Sequence, residues 1–215
     1  MYETKFKVKL SDQVIECETF TLERYVKFLM SRGSDKSELI KKWMHEVLSE
    51  CTNATKLAKH DAELLIVNLI GRSINQDEIT QDYVCECGTE FPVKLDLSRA
   101  TIDFNEASTE TLYVFKNFKL SFNWPELFDD DNVPLMIVKA MDSIYVGDEC
   151  ISIDDLSAQE LDDLHSAITP TDINSIKQFL LAPKVQLAVP VTCPACGKNH
   201  VHTIEGFNEF IRILQ

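Results

Sequence analysis

Two short cysteine segments lie far apart in this chain: Cys85-Glu86-Cys87-Gly88 and Cys193-Pro194-Ala195-Cys196-Gly197. Each pair of cysteines is followed by glycine and then by a segment that alternates like a strand, residues 89–97 and 199–204. Thiolate sulfur suits Zn²⁺, and structural zinc sites usually have four ligands in a tetrahedron. Glycine permits the dihedral angles of a tight turn from which two nearby cysteines can hold one ion. The sequence therefore predicts a structural zinc site with four ligands: Cys85, Cys87, Cys193 and Cys196.

The first cysteine pair is one residue shorter than the usual spacing, which requires a different loop geometry. His200 and His202 lie close to the second pair in sequence, and either could replace a cysteine as ligand. Two readings without metal are also open. The four thiols could pack in the core as small apolar groups, or they could form two disulfides.

The segment between Cys87 and Cys193 is 105 residues long, so the four cysteines cannot belong to one small zinc finger. A shared ion would connect the middle of the chain to its end. Structural zinc contributes on the order of 10 kcal/mol in peptides that fold around it. That is comparable with the net stability of a domain, so loss of the ion is expected to affect the whole fold.

Composition and charge narrow the class of protein. The chain has 215 residues, of which 45% are hydrophobic and 26% charged, as in ordinary globular proteins. Its net charge of −14 disfavours binding to a phosphate backbone. The N-terminus has no apolar signal region, and the longest apolar run, residues 64–69, is too short to span a bilayer. We therefore expect no nucleic-acid or membrane partner and a cytoplasmic location.

The chain contains seven cysteines, an odd number. With no secretory signal, this count fits a reducing compartment in which four cysteines bind metal. The remaining three are then free thiols: Cys17, Cys51 and Cys150.

In the first third of the chain, the periodicity predicts a hairpin followed by three helices that cover a small sheet. The predicted ranges are strands 3–10 and 14–18, a helix capped by Thr21 that runs to Gly33, and helices from Ser37 and over 55–74. His45 and His60 are assigned to polar helix faces. Asp61 and Glu63 are predicted to be solvated or paired with Lys59 and Arg72.

The remaining segments continue the mixed pattern of strands and helices. Strands are predicted at 78–83, 91–97, 112–124 and 185–189, a hairpin turn at Gly147-Asp148, and helices over 133–141, from Ser157, from Thr171-Asp172 and over 205–214. The acidic run 129–132 lacks the glycine and the closing glutamate of a calcium-binding EF-hand loop. It is therefore predicted to be a solvated loop.

The predicted fold class is α+β, with antiparallel hairpins and several covering helices, tied by a zinc-ribbon-like site of four cysteines from distant segments. Three parts are expected. Residues 1–76 form a hairpin with a helical lobe, 77–100 and 185–215 form the zinc-ribbon-like core with the C-terminal helix, and 101–184 form an inserted α+β lobe.

No part of the sequence has the pattern of an enzyme site. It contains no nucleophile paired with a base, no glycine-rich phosphate loop and no paired carboxylates at a catalytic spacing. We therefore predict no catalytic residues and a protein that acts through interactions.

The whole chain resembles the baseplate hub and hub-assembly proteins of T4-like contractile-tailed bacteriophages. The order of several segments carries this resemblance: 20–25, 57–65, the first cysteine pair with 93–97, Phe179-Leu180 before a proline, and 193–197 with 205–210. The short Cys85-x-Cys87 pair departs from the family pattern.

The resemblance implies a late viral protein without catalytic activity, acting in the cytoplasm of the infected bacterium or in the tail baseplate of the virion. It implies a baseplate central hub subunit or a chaperone-like hub assembly factor, with other hub or tape-measure proteins as partners. The alternative hypothesis is a viral zinc-ribbon protein that binds nucleic acid or regulates transcription. A metal-dependent enzyme would need an open zinc position beside Glu90 or His200.

Overall fold

The computed structural model describes residues 4–32, 37–74, 78–104 and 111–213. Within these ranges every paired strand is antiparallel to its neighbour. The strands alternate along the chain with α-helices. The predicted mixture of helices and antiparallel sheets is therefore confirmed.

The described ranges contain eleven strands: β1 (Lys5–Lys9), β2 (Val14–Glu18), β3 (Glu78–Val84), β4 (Glu90–Asp96), β5 (Thr101–Asp103), β6 (Leu112–Val114), β7 (Lys119–Phe122), β8 (Met141–Val146), β9 (Glu149–Ser152), β10 (Lys184–Thr192) and β11 (Asn199–Glu205). They also contain seven α-helices: α1 (Leu22–Arg32), α2 (Ser37–Cys51), α3 (Lys59–Ser73), α4 (Val133–Ala140), α5 (Ala158–Ala167), α6 (Pro170–Leu180) and α7 (Phe207–Ile213). None of the described helices has both the length and the apolar character needed to cross a membrane.

The chain divides into two compact units. The first unit comprises Met1–Asp103 and Lys184–Gln215, and the second comprises Phe104–Pro183. The first unit contains the sheets β1-β2, β3-β4 and β11-β10-β5, and the second contains the sheet β6-β7-β8-β9. The finer division of the chain into three parts stays a prediction.

Helix α3 forms the centre of the first unit. Every residue from His60 to Gly71 is buried, and the helix contacts α2, α7, β5 and β10. A helix that is buried on all sides lies within a core rather than on its surface. The helix begins at Lys59, not at residue 55, because Ala58 has an extended backbone with φ −61° and ψ 151°.

Aromatic side chains join α1 and the segment before it to α2. The ring centroid of Trp43 lies 4.7 Å from that of Phe28 and 5.6 Å from that of Phe20. The Trp43 indole Nε1 donates a hydrogen bond of 2.8 Å to the carbonyl oxygen of Arg24. Thr21 caps α1 as predicted, since the Arg24 backbone N–H donates to its Oγ1 at 3.4 Å.

The second unit packs a four-stranded sheet against three helices. Its core consists of buried side chains from β7, α4, β8, α5 and α6, among them Leu120, Phe122, Met136, Ile137, Met141, Leu164, Ile176 and Leu180. The predicted hairpin turn at Gly147-Asp148 is confirmed, because Val146 pairs with Glu149 across β8 and β9. Gly147 has φ +61°, a value that glycine adopts without the strain of a side chain.

Capping boxes begin the last two helices of this unit. The predicted box of Ser157 and Glu160 is confirmed at the start of α5. Helix α6 begins at Pro170 rather than at Thr171, with Thr169 as N-cap and Asp172 completing a second box. Proline suits the first helical position because that position needs no N–H donor.

The acidic run of the second unit forms one turn of 3₁₀ helix, Asp129–Asp131. Asp129 accepts a hydrogen bond of 2.9 Å from the backbone N–H of Glu126 and lies 3.0 Å from Lys139 Nζ. Its carboxylate therefore stabilises the turn. In the part of the chain that the structure describes, this run is not among the groups that could hold an ion.

Candidate metal centre

The first cysteine pair lies in the turn between β3 and β4. These strands pair in register from Glu78 with Asp96 to Val84 with Glu90. The Cys85 N–H donates to Thr89 O at 2.9 Å, and the Gly88 N–H donates to Cys85 O at 2.8 Å. Gly88 has φ +86°. The turn therefore needs the glycine after the cysteine pair, as the sequence predicted.

The second pair lies in the corresponding turn between β10 and β11. The Cys193 N–H donates to Lys198 O at 2.9 Å, and the Gly197 N–H donates to Cys193 O at 2.9 Å. Gly197 has φ +71°. Both turns are thus closed by two backbone hydrogen bonds to their first cysteine, and the second turn is one residue longer.

The structure brings all four predicted ligands together. The Sγ atoms of Cys85, Cys87, Cys193 and Cys196 all lie within 4.8 Å of one another. Two of the separations, Cys85 to Cys196 and Cys87 to Cys193, are 3.7 Å. Metal–sulfur bonds of about 2.3 Å in a tetrahedron place sulfurs about 3.8 Å apart. The donor set and its spacing fit one tetrahedral ion.

The two interpretations without metal, disulfides and core packing of the thiols, fit this geometry less well. A disulfide requires sulfurs about 2.05 Å apart, whereas these four cysteines are free thiols. Core packing would place all four side chains inside the protein. Cys85 and Cys193 are buried, but Cys87 and Cys196 are exposed. The group could hold a metal ion at the surface end of the two hairpins.

Hydrogen bonds favour ionised sulfur at two of the four positions. The hydroxyl and then the backbone N–H of Thr89 lower the pKa of Cys87 to about 6. The backbone N–H of Cys196, followed by that of Ala195, lowers the pKa of Cys193. Such bonds stabilise thiolates, which are the form that binds metal.

Cys85 shows the opposite shift. The backbone N–H of Cys87 lowers its pKa, but desolvation and the neighbouring cysteine sulfurs outweigh that effect and raise it to about 12. The neighbouring sulfurs therefore disfavour a negative charge on Cys85. A divalent cation at the centre of the four sulfurs would offset that effect and favour ionisation of Cys85.

Neither nearby histidine belongs to the group of four. His200 Nε2 lies 3.3 Å from Cys85 Sγ, which is close enough for a hydrogen bond between the ring and the sulfur. His202 Nε2 lies 3.2 Å from Gln81 Oε1 on β3. The ring centroid of Tyr83 lies 5.9 Å from that of His200 and 5.3 Å from that of His202. The histidines thus pack β11 against β3, and His200 adjoins the cysteines.

Two lysines of the β10-β11 hairpin are each paired with a glutamate: Lys198 in the cysteine turn, and Lys184 at the other end of β10. Lys198 Nζ lies 3.4 Å from Glu86 Oε2, and Lys184 Nζ lies 2.8 Å from Glu205 Oε1. The first pair joins the two cysteine turns. Because Lys198 is paired with Glu86, it adds no net positive charge beside the cysteines.

Two predictions for α3 were wrong: His60 does not lie on a polar face, and Asp61 is neither solvated nor paired with Lys59 or Arg72. His60, Asp61 and Glu63 are buried, with exposed fractions of 3%, 5% and 8%. Glu63 does pair with Lys59, at 3.5 Å. Burial lowers the pKa of His60, which favours its neutral form. The run 64–67, four apolar residues in succession, was the signal that α3 has no solvated face.

Asp61 connects α3 to the first hairpin. Its Oδ1 accepts hydrogen bonds from the backbone N–H of Ser11 at 3.3 Å and from Ser11 Oγ at 3.0 Å. The carboxylate thus fixes the turn between β1 and β2. Its surroundings indicate a structural role.

Comparison with known proteins gives two matches. The family model described as T4 bacteriophage base plate protein matches residues 1–212. The baseplate hub assembly protein gp26 of Enterobacteria phage T4 is 38% identical over 214 residues, which cover 100% of both chains. No solved structure matches.

Proposed function

Because the chain belongs to the T4 bacteriophage base plate protein family, we propose that it assists assembly of the central hub of a phage tail baseplate. The observation that carries this proposal is the 38% identity to a hub assembly protein over the full length of both chains. In this function the protein acts through contacts with other proteins and carries out no catalysis. A chaperone-like factor would hold a hub or tape-measure component in a form ready for assembly.

The four cysteines serve this function by holding the first unit together. We propose that Cys85, Cys87, Cys193 and Cys196 bind one Zn²⁺, which supplies a structural cross-link with four sulfur ligands and no open position. The spacing of the sulfurs supports this assignment. The hairpins β3-β4 and β10-β11 would then form a zinc-ribbon-like core.

Co-purification tests the function directly. The protein would be co-expressed with the hub and tape-measure proteins of the same phage, and recovery of each partner would be measured. We expect one of them to co-purify with the wild-type chain and to be lost with Cys193→Ser. Cys150→Ser is the matched control, because Cys150 is an exposed cysteine of the second unit. Absence of every hub and tape-measure protein would contradict the proposed function.

Analysis of purified virions distinguishes a hub subunit from a transient assembly factor. Mass spectrometry would detect the chain in tails if it is a hub subunit. We propose the transient alternative, in which the protein acts in the host cytoplasm and is absent from the finished particle. A stoichiometric amount in virions would overturn this choice and assign the chain to the baseplate itself.

A further inference from the structure

The two outer edges of the β1-β2 hairpin differ. The Thr19 N–H donates to Thr4 O and the Leu10 N–H donates to Gln13 O, each at 2.8 Å, at opposite ends of the hairpin. In an antiparallel pair such bonds recur at every second residue. The backbone groups of Phe6 and Val8 therefore face β2. Those of the intervening residues face away from it: Lys5, Lys7 and Lys9.

The outer edge of β2 is occupied by another part of the chain. The Glu16 N–H donates to Asn53 Oδ1 at 3.1 Å, and the Asn53 N–H donates to Glu16 O at 3.3 Å. Cys17 also forms an isolated antiparallel bridge with Thr52. Among the described residues, no hydrogen bond closes the outer edge of β1 at Lys7 or Lys9 in this way.

A cavity of about 280 Å³ lies along β1. It extends from the strand to α3 and to the segment that leads into β5. Its polar lining residues are Lys7, Lys9, Asn68, Arg72, Ser98 and Thr101, and no acidic residue lines it. A cavity with three cationic side chains is a local exception in a chain of net charge −14.

The buried side-chain amide of Asn68, which lines this cavity, can accept a further hydrogen bond. Asn68 is 8% exposed, and its Nδ2 donates to Leu64 O at 2.9 Å. Among the described residues its Oδ1 has no donor. Buried amide oxygens normally have a hydrogen-bond partner. A backbone N–H from an incoming segment would supply one.

The lysines alone do not indicate a binding site, because exposed lysine commonly protects an edge strand from aggregation. Lys7 Nζ also pairs with Glu16 at 3.0 Å. That pair is largely exposed, so it contributes little and can be exchanged for another carboxylate. What distinguishes this edge is the combination of unpaired backbone groups, an adjoining cavity and a cationic lining.

We propose that the outer edge of β1 binds an extended segment of a partner protein, which adds a third strand to the β1-β2 sheet. Backbone hydrogen bonds to Lys7 and Lys9 supply the binding. Acidic side chains at alternate positions lie beside the lysines, and short side chains between them point into the cavity. This inference rests on the proposed function, since it identifies the kind of segment through which an assembly partner is held.

A synthetic peptide tests the site without knowledge of the natural partner. The probe is a blocked heptapeptide of alternating glutamate and valine, and the control peptide has lysine in place of glutamate. Binding would be followed by NMR of the ¹⁵N-labelled full chain. We expect saturable shifts at β1, Asn68 and residues 98–101 with the acidic peptide. Equal binding of the lysine peptide, or shifts elsewhere, would overturn the proposal.

Lys7→Pro is the decisive variant. It removes an N–H that faces away from β2, so the hairpin keeps its own hydrogen bonds, and proline is tolerated at such an edge. We expect it to weaken peptide binding at least tenfold. Lys7→Ala keeps the N–H and removes the charged side chain, so it should weaken binding about threefold, as for an exposed ion pair. Undiminished binding by Lys7→Pro would overturn the proposal.

Lys9→Glu provides a second test if the melting temperature of Lys7→Pro shows that this variant does not fold. This exposed charge reversal should weaken acidic-peptide binding and reduce its salt dependence, and unchanged affinity would overturn the proposal. Sedimentation would show whether the free protein dimerises through the same residues. Such a dimer would mean that a second copy of this chain binds the edge of β1, and it would overturn the proposal that a different protein does.

The co-purification assay separates this inference from the proposed function. A hub component that co-purifies equally with wild type and Lys7→Pro would refute the edge-binding site and leave the assembly function intact. Binding of the peptide without any co-purified baseplate protein would support the edge site and count against the assembly function.

Discussion

The two units of this protein are built from contacts of different range. The first unit unites segments from both ends of the chain, and Cys87 and Cys193 at its candidate metal centre are 106 positions apart. The second unit is one continuous segment, and its sheet connects strands that follow one another in sequence. Closing a long loop costs more entropy than closing a short one. A strong cross-link is therefore useful in the first unit, whereas an apolar core suffices for the second.

Loss of the proposed zinc ion should have the largest effect, and that effect should fall on the first unit. Removing structural zinc costs on the order of 10 kcal/mol in small zinc-dependent folds. We expect Cys193→Ser, or treatment with a chelator, to increase hydrogen exchange across β3, β4, β10 and β11 while the second unit keeps its protection. Cys150→Ser should leave both units unchanged. Equal loss of protection in both units would show that they are not independent.

A large-to-small change in the second core should have the converse effect. Ile176 is fully buried in that core, and replacing it with alanine should cost about 2–5 kcal/mol. We expect Ile176→Ala to lower the unfolding temperature of the second unit, measured by calorimetry, without changing metal content. Val146→Ala, at a half-exposed position, is the control. Loss of metal from Ile176→Ala would contradict the division into two units.

A smaller effect is expected at the buried carboxylate of α3. Asp61→Ala leaves the backbone N–H and the hydroxyl of Ser11 without their acceptor. Such a loss costs about 1–3 kcal/mol, and urea unfolding of the first unit would measure it. Ser11→Ala removes only the hydroxyl contact and should cost less. If Asp61→Ala left the free energy of unfolding unchanged, the carboxylate would not stabilise the hairpin.

The smallest effect concerns pH and the two capping boxes of the second unit. Hydrogen bonds from Ser157 and Thr169 lower the pKa values of Glu160 and Asp172 from their ordinary values of 4.5 and 3.8. A lowered pKa in the folded state gives stability that is present above the ordinary value and is lost as pH falls through the folded value. We expect the second unit to lose stability below about pH 4.5, with a shallower dependence in Ser157→Ala and Thr169→Ala.

Unfolding of these variants between pH 2 and 6 would measure the slope. Ala158→Ser, which leaves both boxes intact, is the matched control. An unchanged slope in the two capping variants would show that other carboxylates cause the acid sensitivity.

Local patterns were sufficient to predict much of this fold. Alternation at β1 and β2, the glycines after both cysteine pairs, and the Ser157-x-x-Glu160 box each have a physical cause within a few residues. The cysteine pairs also indicated which distant segments meet, because their chemistry calls for four sulfurs around one ion. Those features were visible before any tertiary contact was known.

Features that depend on distant neighbours were not predictable in the same way. His60 and Asp61 look like surface residues, but β5, β10 and α7 cover α3 from other parts of the chain. Likewise, Asn53 closes the edge of β2 and leaves that of β1 open, which no local periodicity records. The predicted start of α6 at Thr171 was wrong because Pro170 was not recognised as the first residue of the helix.

X-ray absorption at the zinc edge tests the central claim most directly. For the purified full-length protein, our account predicts about one zinc per chain with four sulfurs at about 2.3 Å. A shell of three sulfurs and one nitrogen would place His200 or His202 in the site and contradict the assignment of four cysteines. Protein purified without any bound metal, and unable to take up zinc, would contradict the cross-link between the two hairpins.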